Sequence, residues 1–339
     1  MENRLLLAFV LSLAVFVGWG YFLAEIQGPP PVQEPGMEEP SKSAQAPSPK
    51  STAPGSTVIP QSESSQPIAQ APATAPANPF PGEEVLIQVS TGKSHFVISN
   101  RGGTLKQLEL PQFNNDEGNT IDLIDNPDHL TPALALKAND PEITAILQNA
   151  HYEPSTTSIA LSEHSPEGKL TLTLNHSSGL QVTRTYVFHY NDFMVELSTQ
   201  ISAASMASRN LQYQVLLGPG MGGKIASQTD YIVFSGATVF ANNERIENPP
   251  EDITNTAYFK GDLQWVAFQN KYFGSALIPQ QGTKSGVVFK EKDQSFVGLE
   301  LESVQSAASA QNFFYAGTKE LEILEGKGHH LVRLIDYGW

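Results

Sequence analysis

From Glu84 onward, the chain consists of short segments rich in β-branched and aromatic residues, separated by turn residues. Several segments alternate apolar and polar side chains, as residues 180–188 (LQVTRTYVF) do. Many short strands with frequent turn signals indicate an antiparallel β-sandwich rather than alternating β and α units. No low-complexity break interrupts the series before about Tyr315, so we predict one large β domain over residues 83–317. The predicted strands include VLIQVS, HFVIS, KLTLTL, LQVTRTYVF, FMVELSTQI, LQYQVLL, YIVFSG, GVVFK and FVGLELE.

Helical patterns are scarce in this region. The clearest is Thr318–Glu325 (TKELEILE), where Thr318 is a plausible cap and Gly326 and Gly328 would end the helix. A second short helix is predicted near Ile143–Gln148. Residues 318–339 are therefore assigned to a short carboxy-terminal helix and a segment leading back towards a membrane. The alternative for residues 331–335 (LVRLI) is a strand that pairs with the sheet.

The amino terminus carries an uncharged apolar segment at residues 5–24 (LLLAFVLSLAVFVGWGYFLA). As a helix it would span roughly 30 Å, the thickness of a bilayer's hydrocarbon core. A cleaved signal peptide is the alternative, but its cleavage site needs a small residue where Phe22 stands. We predict a transmembrane anchor over residues 1–26 that contacts the lipid bilayer through residues 5–24. The residues expected to form it include Leu5, Phe9, Leu13, Phe16, Trp19 and Tyr21.

The charges around this segment predict its orientation. Arg4 precedes it, and no Lys or Arg follows until Lys42. The positive-inside rule then places the amino terminus in the cytoplasm and the rest of the chain on the other side of the membrane. Residues 27–82 are rich in Pro, Ala, Ser and Gln and are predicted to be a disordered tether. A Pro-rich docking motif for a partner is the alternative.

Composition excludes several classes of function. The formal net charge is −15, so nucleic acid is not expected as a partner, because its phosphates require a clustered basic surface. The chain has no cysteine, which excludes disulfides, thiolate metal sites and a cysteine nucleophile. We predict no catalytic residue, no metal and no cofactor.

Three sequence patterns partly resemble ligand sites. Residues 218–224 (GPGMGGK) have the spacing of a phosphate-binding loop, but Ile225 stands where Ser or Thr is needed, so a glycine-rich connection between strands is favoured. Asp122, Asp125 and Asp128 lack the Gly and Glu of a calcium loop and are expected in a solvated turn region. The eight histidines form no metal-binding spacing and are expected to be scattered over the surface.

Five segments in order along the chain carry a resemblance to a known family. The first is the anchor with its linker, and the second is residues 99–110 (SNRGGTLKQLEL), which contain Gly102 and Gly103. The third is residues 264–279 (QWVAFQNKYFGSALIP), which contain Trp265, Tyr272, Phe273 and Pro279. The fourth is residues 314–317 (FYAG), followed by the segment 319–324, and the fifth is residues 334–339 (LIDYGW), which contain Asp336, Tyr337, Gly338 and Trp339. In this order they resemble the YidC-type branch of the YidC/Oxa/Alb family of membrane protein insertases.

This resemblance implies a mainly β fold, a large antiparallel β-supersandwich of the mutarotase-like type in the periplasm, without an enzymatic role. It also implies a bacterial inner-membrane location, crossed once by the sequence as given. The implied function is insertion and folding of nascent inner-membrane proteins, with or beside the Sec translocon. The family's insertase groove is formed by later helices, so none of its residues can be assigned here. We therefore expect the sequence to be a fragment of a longer protein.

Two other functions remain open at this point. One is a membrane-tethered periplasmic carbohydrate-binding or mutarotase-like protein, which a pocket with converging His and Glu side chains would favour. Glycan binding by the β domain would also favour it. The other is an envelope scaffold that holds partners together without inserting proteins.

Overall fold

The structure, a computed structural model, describes residues 82–124, 130–222 and 234–335. Within these ranges the chain is mainly β with antiparallel sheets, as predicted. No helix in the described ranges is long and apolar enough to cross a bilayer. The predicted anchor and linker lie outside the described residues.

The strands are numbered in chain order. They are β1 Leu86–Ser90, β2 His95–Ser99, β3 Thr104–Asn114, β4 Thr120–Asp122, β5 Leu136–Ala138, β6 Glu153–Pro154, β7 Ser158–Ala160, β8 Glu167–Asn175, β9 Gln181–His189, β10 Met194–Ser202, β11 Tyr213–Leu217, β12 Gly236–Ala241, β13 Glu244–Asn248, β14 Ala257–Phe259, β15 Leu263–Gln269, β16 Phe273–Gln281, β17 Thr283–Glu291, β18 Gln294–Leu301, β19 Ser303–Val304 and β20 Ala307–Thr318. The helices are α1 Pro141–Asn149 and α2 Leu321–Lys327, with 3₁₀ helices at Ala204–Arg209 and Leu331–Leu334.

These strands form three sheets. The large sheet has ten strands, in the order β13-β12-β15-β16-β20-β10-β9-β8-β6, with β19 paired to β20. The first small sheet has the order β4-β3-β2-β1-β7, and the second small sheet has the order β14-β17-β18-β11-β5. Neighbouring strands pair antiparallel except β1 and β7, which pair parallel.

Both small sheets pack on one face of the large sheet, its inner face. Under β9, the ring of Phe96 from the first small sheet lies 5.2 Å from the ring of Phe188. Under β15, the second small sheet comes so close that a Cβ on Gly286 would lie 2.7 Å from Val266 Cγ1. The strands of the large sheet can bury this face because their side chains alternate. In β9 every second residue from Val182 is buried, and the residues between are partly exposed.

The outer face of the large sheet is covered over part of its width by the strap, which we define as residues 319–335. Val266 faces the inner side, so its neighbour Trp265 faces outward, where Phe240 stacks on it with ring centroids 5.6 Å apart. The Trp265 Nε1–H donates to the His330 carbonyl at 3.4 Å. The side chains of Leu331 and Leu334 in the strap are fully buried. The strap therefore covers the outer face at β12, β15 and β16.

Several local predictions need correction. The carboxy-terminal helix begins at Leu321, because Thr318 is the last residue of β20 and pairs with Phe273. Residues 331–335 do not form a strand, since Leu331–Leu334 is a 3₁₀ helix. These corrections concern single elements and leave the class of the fold unchanged.

The second predicted helix is confirmed as α1. Asp140 precedes it, and its Oδ1 accepts hydrogen bonds from the backbone N–H groups of Glu142 at 2.9 Å and Ile143 at 3.2 Å. An N-cap carboxylate with proline in the first turn is a strong start signal for a helix. The helix packs beside β5 and closes one side of the core.

Candidate binding surface on the open face of the large sheet

The glycine pair singled out in the sequence forms the turn between β2 and β3. Gly102 and Gly103 have φ angles of 68° and 61°. A Cβ on Gly102 would lie 2.6 Å from the Gln148 carbonyl oxygen of α1. The Gly103 carbonyl accepts hydrogen bonds from Arg184 Nη1 at 2.7 Å and from the Tyr186 hydroxyl at 2.8 Å. These glycines therefore have a structural role, which is to dock the turn against α1 and β9.

Arg184 and Tyr186 are both buried beneath this turn. Within the described residues, Nε and Nη2 of Arg184 have no hydrogen-bond partner. Burial raises the pKa of the Tyr186 phenol, and the nearby Arg184 guanidinium opposes that rise. Both side chains are buried, so we assign the pair to the core.

The second motif, around β15 and β16, is also mainly structural. Trp265 and Phe273 are buried, and Pro279 is partly buried. Tyr272 differs, because 41% of its surface is exposed beside the half-buried ring of Phe113. The remaining sequence-predicted positions, which are the anchor residues 5–24 and the motif residues 336–339, lie outside the described residues.

The patterns that resembled ligand sites have other roles. Asp122 is the half-buried last residue of β4 rather than part of a solvated turn, and its Oδ1 accepts from the backbone N–H groups of Leu108 and Ile124. Burial raises the pKa of this carboxyl. Asp125 and Asp128 lie outside the described residues, as do the last two residues of the GPGMGGK segment. Among the described residues, no group of three His, Asp or Glu side chains is arranged to hold a metal ion.

The part of the outer face that the strap leaves uncovered carries a row of uncharged polar side chains. It crosses neighbouring strands, because Thr171 pairs with Thr185, Thr185 with Ser198, Ser198 with Gln311, and Gln311 with Gln281. We call these five residues the polar row. Four strand spacings separate its ends, a length of about 19 Å. A second, shorter row of Thr173, Thr183, Gln200 and Ser309 runs beside it.

A groove with a volume of about 280 Å³ lies along the polar row. Thr185, Ser198 and Gln311 line it, together with Asn312 and Phe313. Within the described part of the chain, the side chains of the polar row form no hydrogen bonds of their own. Their donors and acceptors are therefore available to water or to a ligand.

Asn312 adjoins Gln311 in β20, but its side chain lies on the inner face of the sheet, where it pairs with Leu197. The residue is only 2% exposed, and its Oδ1 accepts a hydrogen bond from the Thr283 hydroxyl at 3.2 Å. Its Nδ2 is buried and has no partner among the described residues. The unpartnered Nδ2 therefore lies on the side of the second small sheet and offers no donor to the groove.

Charged side chains stand at the border of the groove. His189 Nε2 lies 3.1 Å from Glu196 Oε1, and the two side chains are 36% and 53% exposed. The His329 ring of the strap lies 5.2 Å from the ring of Phe313, where the covered and uncovered parts of the face meet. The exposed His189–Glu196 pair is not a buried acid–base pocket, so the condition that would favour a mutarotase-like enzyme is not met by these residues.

Sequence reasoning missed this surface. The alternating Thr, Ser and Gln of LTLTL, VTRTYV and ELSTQ predict only which half of each strand faces outward. The signal was present in their chemistry, since none of the five polar-row positions carries a charge. The register between strands, which brings these residues into one row, cannot be read from the sequence.

Comparison with known proteins decides the family. The family model described as the YidC periplasmic domain matches residues 86–339, which is most of the chain. This chain belongs to the YidC periplasmic domain family. The resemblance seen in the ordered motifs is thereby confirmed.

Relatives of this family align with the whole chain. A membrane protein insertase YidC of Pelobacter propionicus is 25% identical over 100% of this chain and 60% of its own length. One of Geobacter metallireducens is 24% identical over 100% of this chain and 61% of its own length. The chain thus spans about 60% of the length of these relatives.

Solved structures give a looser likeness. A galactose mutarotase related enzyme from Lactobacillus acidophilus covers 69% of this chain and 97% of its own, with 8% identity and a TM-score of 0.44. That likeness is too loose to support an argument about ligands or activity of this YidC-family chain.

Proposed function

We propose that this chain is the anchor and periplasmic part of a membrane protein insertase, which aids the insertion and folding of inner-membrane proteins with or beside the Sec translocon. The observation that carries this proposal is the match of residues 86–339 to the YidC periplasmic domain. The relatives that align over the whole chain and are named as insertases support it. Its clients would be nascent inner-membrane proteins, and its role would be non-enzymatic.

The organisation we propose follows the sequence. Residues 1–26 would cross the bacterial inner membrane once, residues 27–82 would tether the β domain, and residues 83–317 would form that domain in the periplasm. Residues 318–339 would then lead the chain back to the bilayer. We further propose that the β domain is a mutarotase-like supersandwich, since two small sheets share one face of a ten-stranded sheet.

The test is to deplete the protein in its own cells and follow the insertion of a newly made inner-membrane protein by protease protection. We expect insertion to fall on depletion and to recover when the native gene product is restored. Normal insertion in depleted cells, together with loss of an envelope complex, would instead favour the scaffold function.

A second measurement addresses the relation of this sequence to its longer relatives. The intact mass of the native protein, extracted from its own membranes, is expected to lie well above the 36.8 kDa of this sequence. A mass near 36.8 kDa would overturn the insertase proposal in its full form and reduce the function to an accessory or docking role.

A further inference from the structure

We propose that the end of the large sheet at Tyr272 lies against a lipid bilayer, with the Tyr272 ring among the lipid headgroups. We call the side chains of Phe113, Lys271 and Tyr272 the end patch. This proposal rests on the proposed organisation of the chain, in which the residues after the strap lead back to the membrane. It deepens that organisation, because it assigns the surface of the β domain that meets the lipid.

The strap begins and ends at this end of the large sheet. At its start, the Lys319 backbone N–H donates to the Tyr272 carbonyl at 2.8 Å. Near its end, Leu334 packs against Gly274, where an added Cβ would lie 3.1 Å from Leu334 Cδ1. Tyr272 immediately precedes β16, and Gly274 is the second residue of that strand. The strap therefore turns back on itself, and Ile335 lies close to the strand end that carries Tyr272.

The length of chain beyond Ile335 limits how far this end can lie from the bilayer. Residues 336–339 span at most about 14 Å when fully extended. In the proposed organisation these residues reach the membrane, so Ile335 lies within about that distance of the lipid. The other end of β20 is held by no such limit, since its twelve residues extend over about 40 Å. Of the two ends of the large sheet, the one with the end patch is thus the one held near the bilayer.

The aromatic side chains of the end patch suit a bilayer interface. Tyr272 is 41% exposed, and it shares a recess of about 240 Å³ with the partly buried ring of Phe113. The Phe113 ring packs edge-on against the buried ring of Phe273, with centroids 5.6 Å apart, so β3 and β16 hold it in place. Tyrosine combines an apolar ring with a polar hydroxyl, and it is enriched where hydrocarbon meets water. The exposed ring of Tyr272 therefore has a favourable place among lipid headgroups.

Charge distinguishes the end patch from other exposed apolar side chains. The chain has a net charge of −15, so most of its surface is repelled by anionic lipid. Three exposed apolar residues have a glutamate within two positions, namely Leu86, Val304 and Leu321. Tyr272 has none, and Lys271 Nζ lies 5.1 Å from the centroid of its ring. Lys319 and Glu320 also line the recess and offset each other in charge. Lys271 can thus bind lipid phosphate while its stem covers the ring.

Tyr258 provides a matched comparison elsewhere on the domain. It is 53% exposed, and Lys260 stands two positions away. It lies in β14 at the edge of the second small sheet, where it pairs with Val287 in the middle of β17. A general affinity of exposed tyrosines for lipid would act at both sites. The position of the strap instead places Tyr272 alone of this pair at the bilayer.

The test uses the full chain reconstituted into vesicles of phosphatidylethanolamine and phosphatidylglycerol, in which some headgroups carry a nitroxide quencher. Because the chain has no cysteine, Gln112→Cys gives a single site for a fluorophore, on an exposed residue next to Phe113. We expect the nitroxide to quench this fluorophore strongly. The same label on Val304→Cys, which lies beside the far end of β20, should keep its fluorescence.

Further changes in the chain labelled at position 112 separate the end patch from the tether. Tyr272→Asp should reduce the population in contact with lipid about tenfold, because it removes apolar contact area and adds a negative charge. Lys271→Gln should reduce it about fivefold when phosphatidylglycerol is present, which is the factor for one basic side chain near an anionic surface. Tyr258→Asp is the control and should leave the quenching unchanged. Both aspartate variants replace exposed side chains, so their unfolding midpoints should stay close to the native value.

Equal fluorescence of the labels at positions 112 and 304 overturns the proposal, as does equal quenching with and without Tyr272→Asp. Concentration-dependent dimers without quenching at position 112 would assign the end patch to a second copy of the chain, which also overturns it. Flotation of the vesicles on a density gradient distinguishes these failures from failure of the proposed organisation. A chain that floats with the vesicles but is not quenched at position 112 is anchored, and only the lipid contact is wrong. A chain that does not float has no membrane anchor, and the proposed organisation itself is then wrong.

Discussion

The two halves of the large sheet differ in what covers their outer face. In β12, β15 and the first six residues of β16 most residues are buried in unbroken runs, because the small sheet lies on one side and the strap on the other. In β8, β9 and β10 burial alternates, and most of the outward residues are polar and partly or fully exposed. Continuous burial therefore marks the half that is covered on both faces, and alternation marks the half whose outer face is open to solvent.

The largest effect is expected from Trp265→Ala in the covered half. The side chain is fully buried between Phe240 and the strap, and its removal leaves a large cavity. We expect the free energy of unfolding to fall by about 3–5 kcal/mol. Urea denaturation followed by circular dichroism measures this change. A loss below about 1 kcal/mol, within the range of ordinary surface substitutions, would mean that the strap does not seal this half.

A somewhat smaller effect is expected from Leu331→Ala in the strap itself. Leu331 is fully buried, and truncating it should cost about 3 kcal/mol. The matched control is Leu321→Ala, since Leu321 lies in the same strap but is 43% exposed. That control should change stability by no more than about 0.5 kcal/mol. Hydrogen exchange would show whether β12 and β15 lose protection while β8 and β9 keep theirs.

The two halves were also unequally predictable from the sequence. The alternation in LQVTRTYVF fixes both the strand and its buried face, so β8, β9 and β10 were predicted nearly to their ends. The hairpin of β12 and β13 was missed, because GATVFA has no alternation once both of its faces are covered. Thr318 was misplaced for a related reason. Thr318 has the chemistry of a helix cap, but in the structure it pairs with Phe273 in the ladder between β16 and β20.

The candidate site was less predictable than the fold. Each polar-row residue can be recognised as outward-facing from its own strand. Which residues become neighbours, however, depends on the register between strands that are far apart in sequence, as with Ser198 and Gln311.

An intermediate effect, and one that depends on pH, is expected from Tyr186→Phe beneath the open half. At neutral pH the loss of the hydrogen bond to the Gly103 carbonyl should cost about 1 kcal/mol. Burial raises the pKa of this phenol above its ordinary value of 10.0, so the folded state disfavours the tyrosinate. The native protein should therefore lose stability as pH rises above about 10, and the variant should lose less over the same range. Unfolding curves at pH 7 and at high pH would reveal this difference, and parallel losses in both proteins would contradict it.

The smallest effect is expected from Thr185→Val in the open half. The hydroxyl makes no hydrogen bond within the described residues, and valine keeps the branched shape that suits a strand. The free energy of unfolding should change by no more than about 0.5 kcal/mol, measured by the same urea titration used for Trp265→Ala. A loss near that of Leu331→Ala would mean that the open face is covered in the native protein. A near-zero change would show that the polar row does not contribute to the stability of the fold.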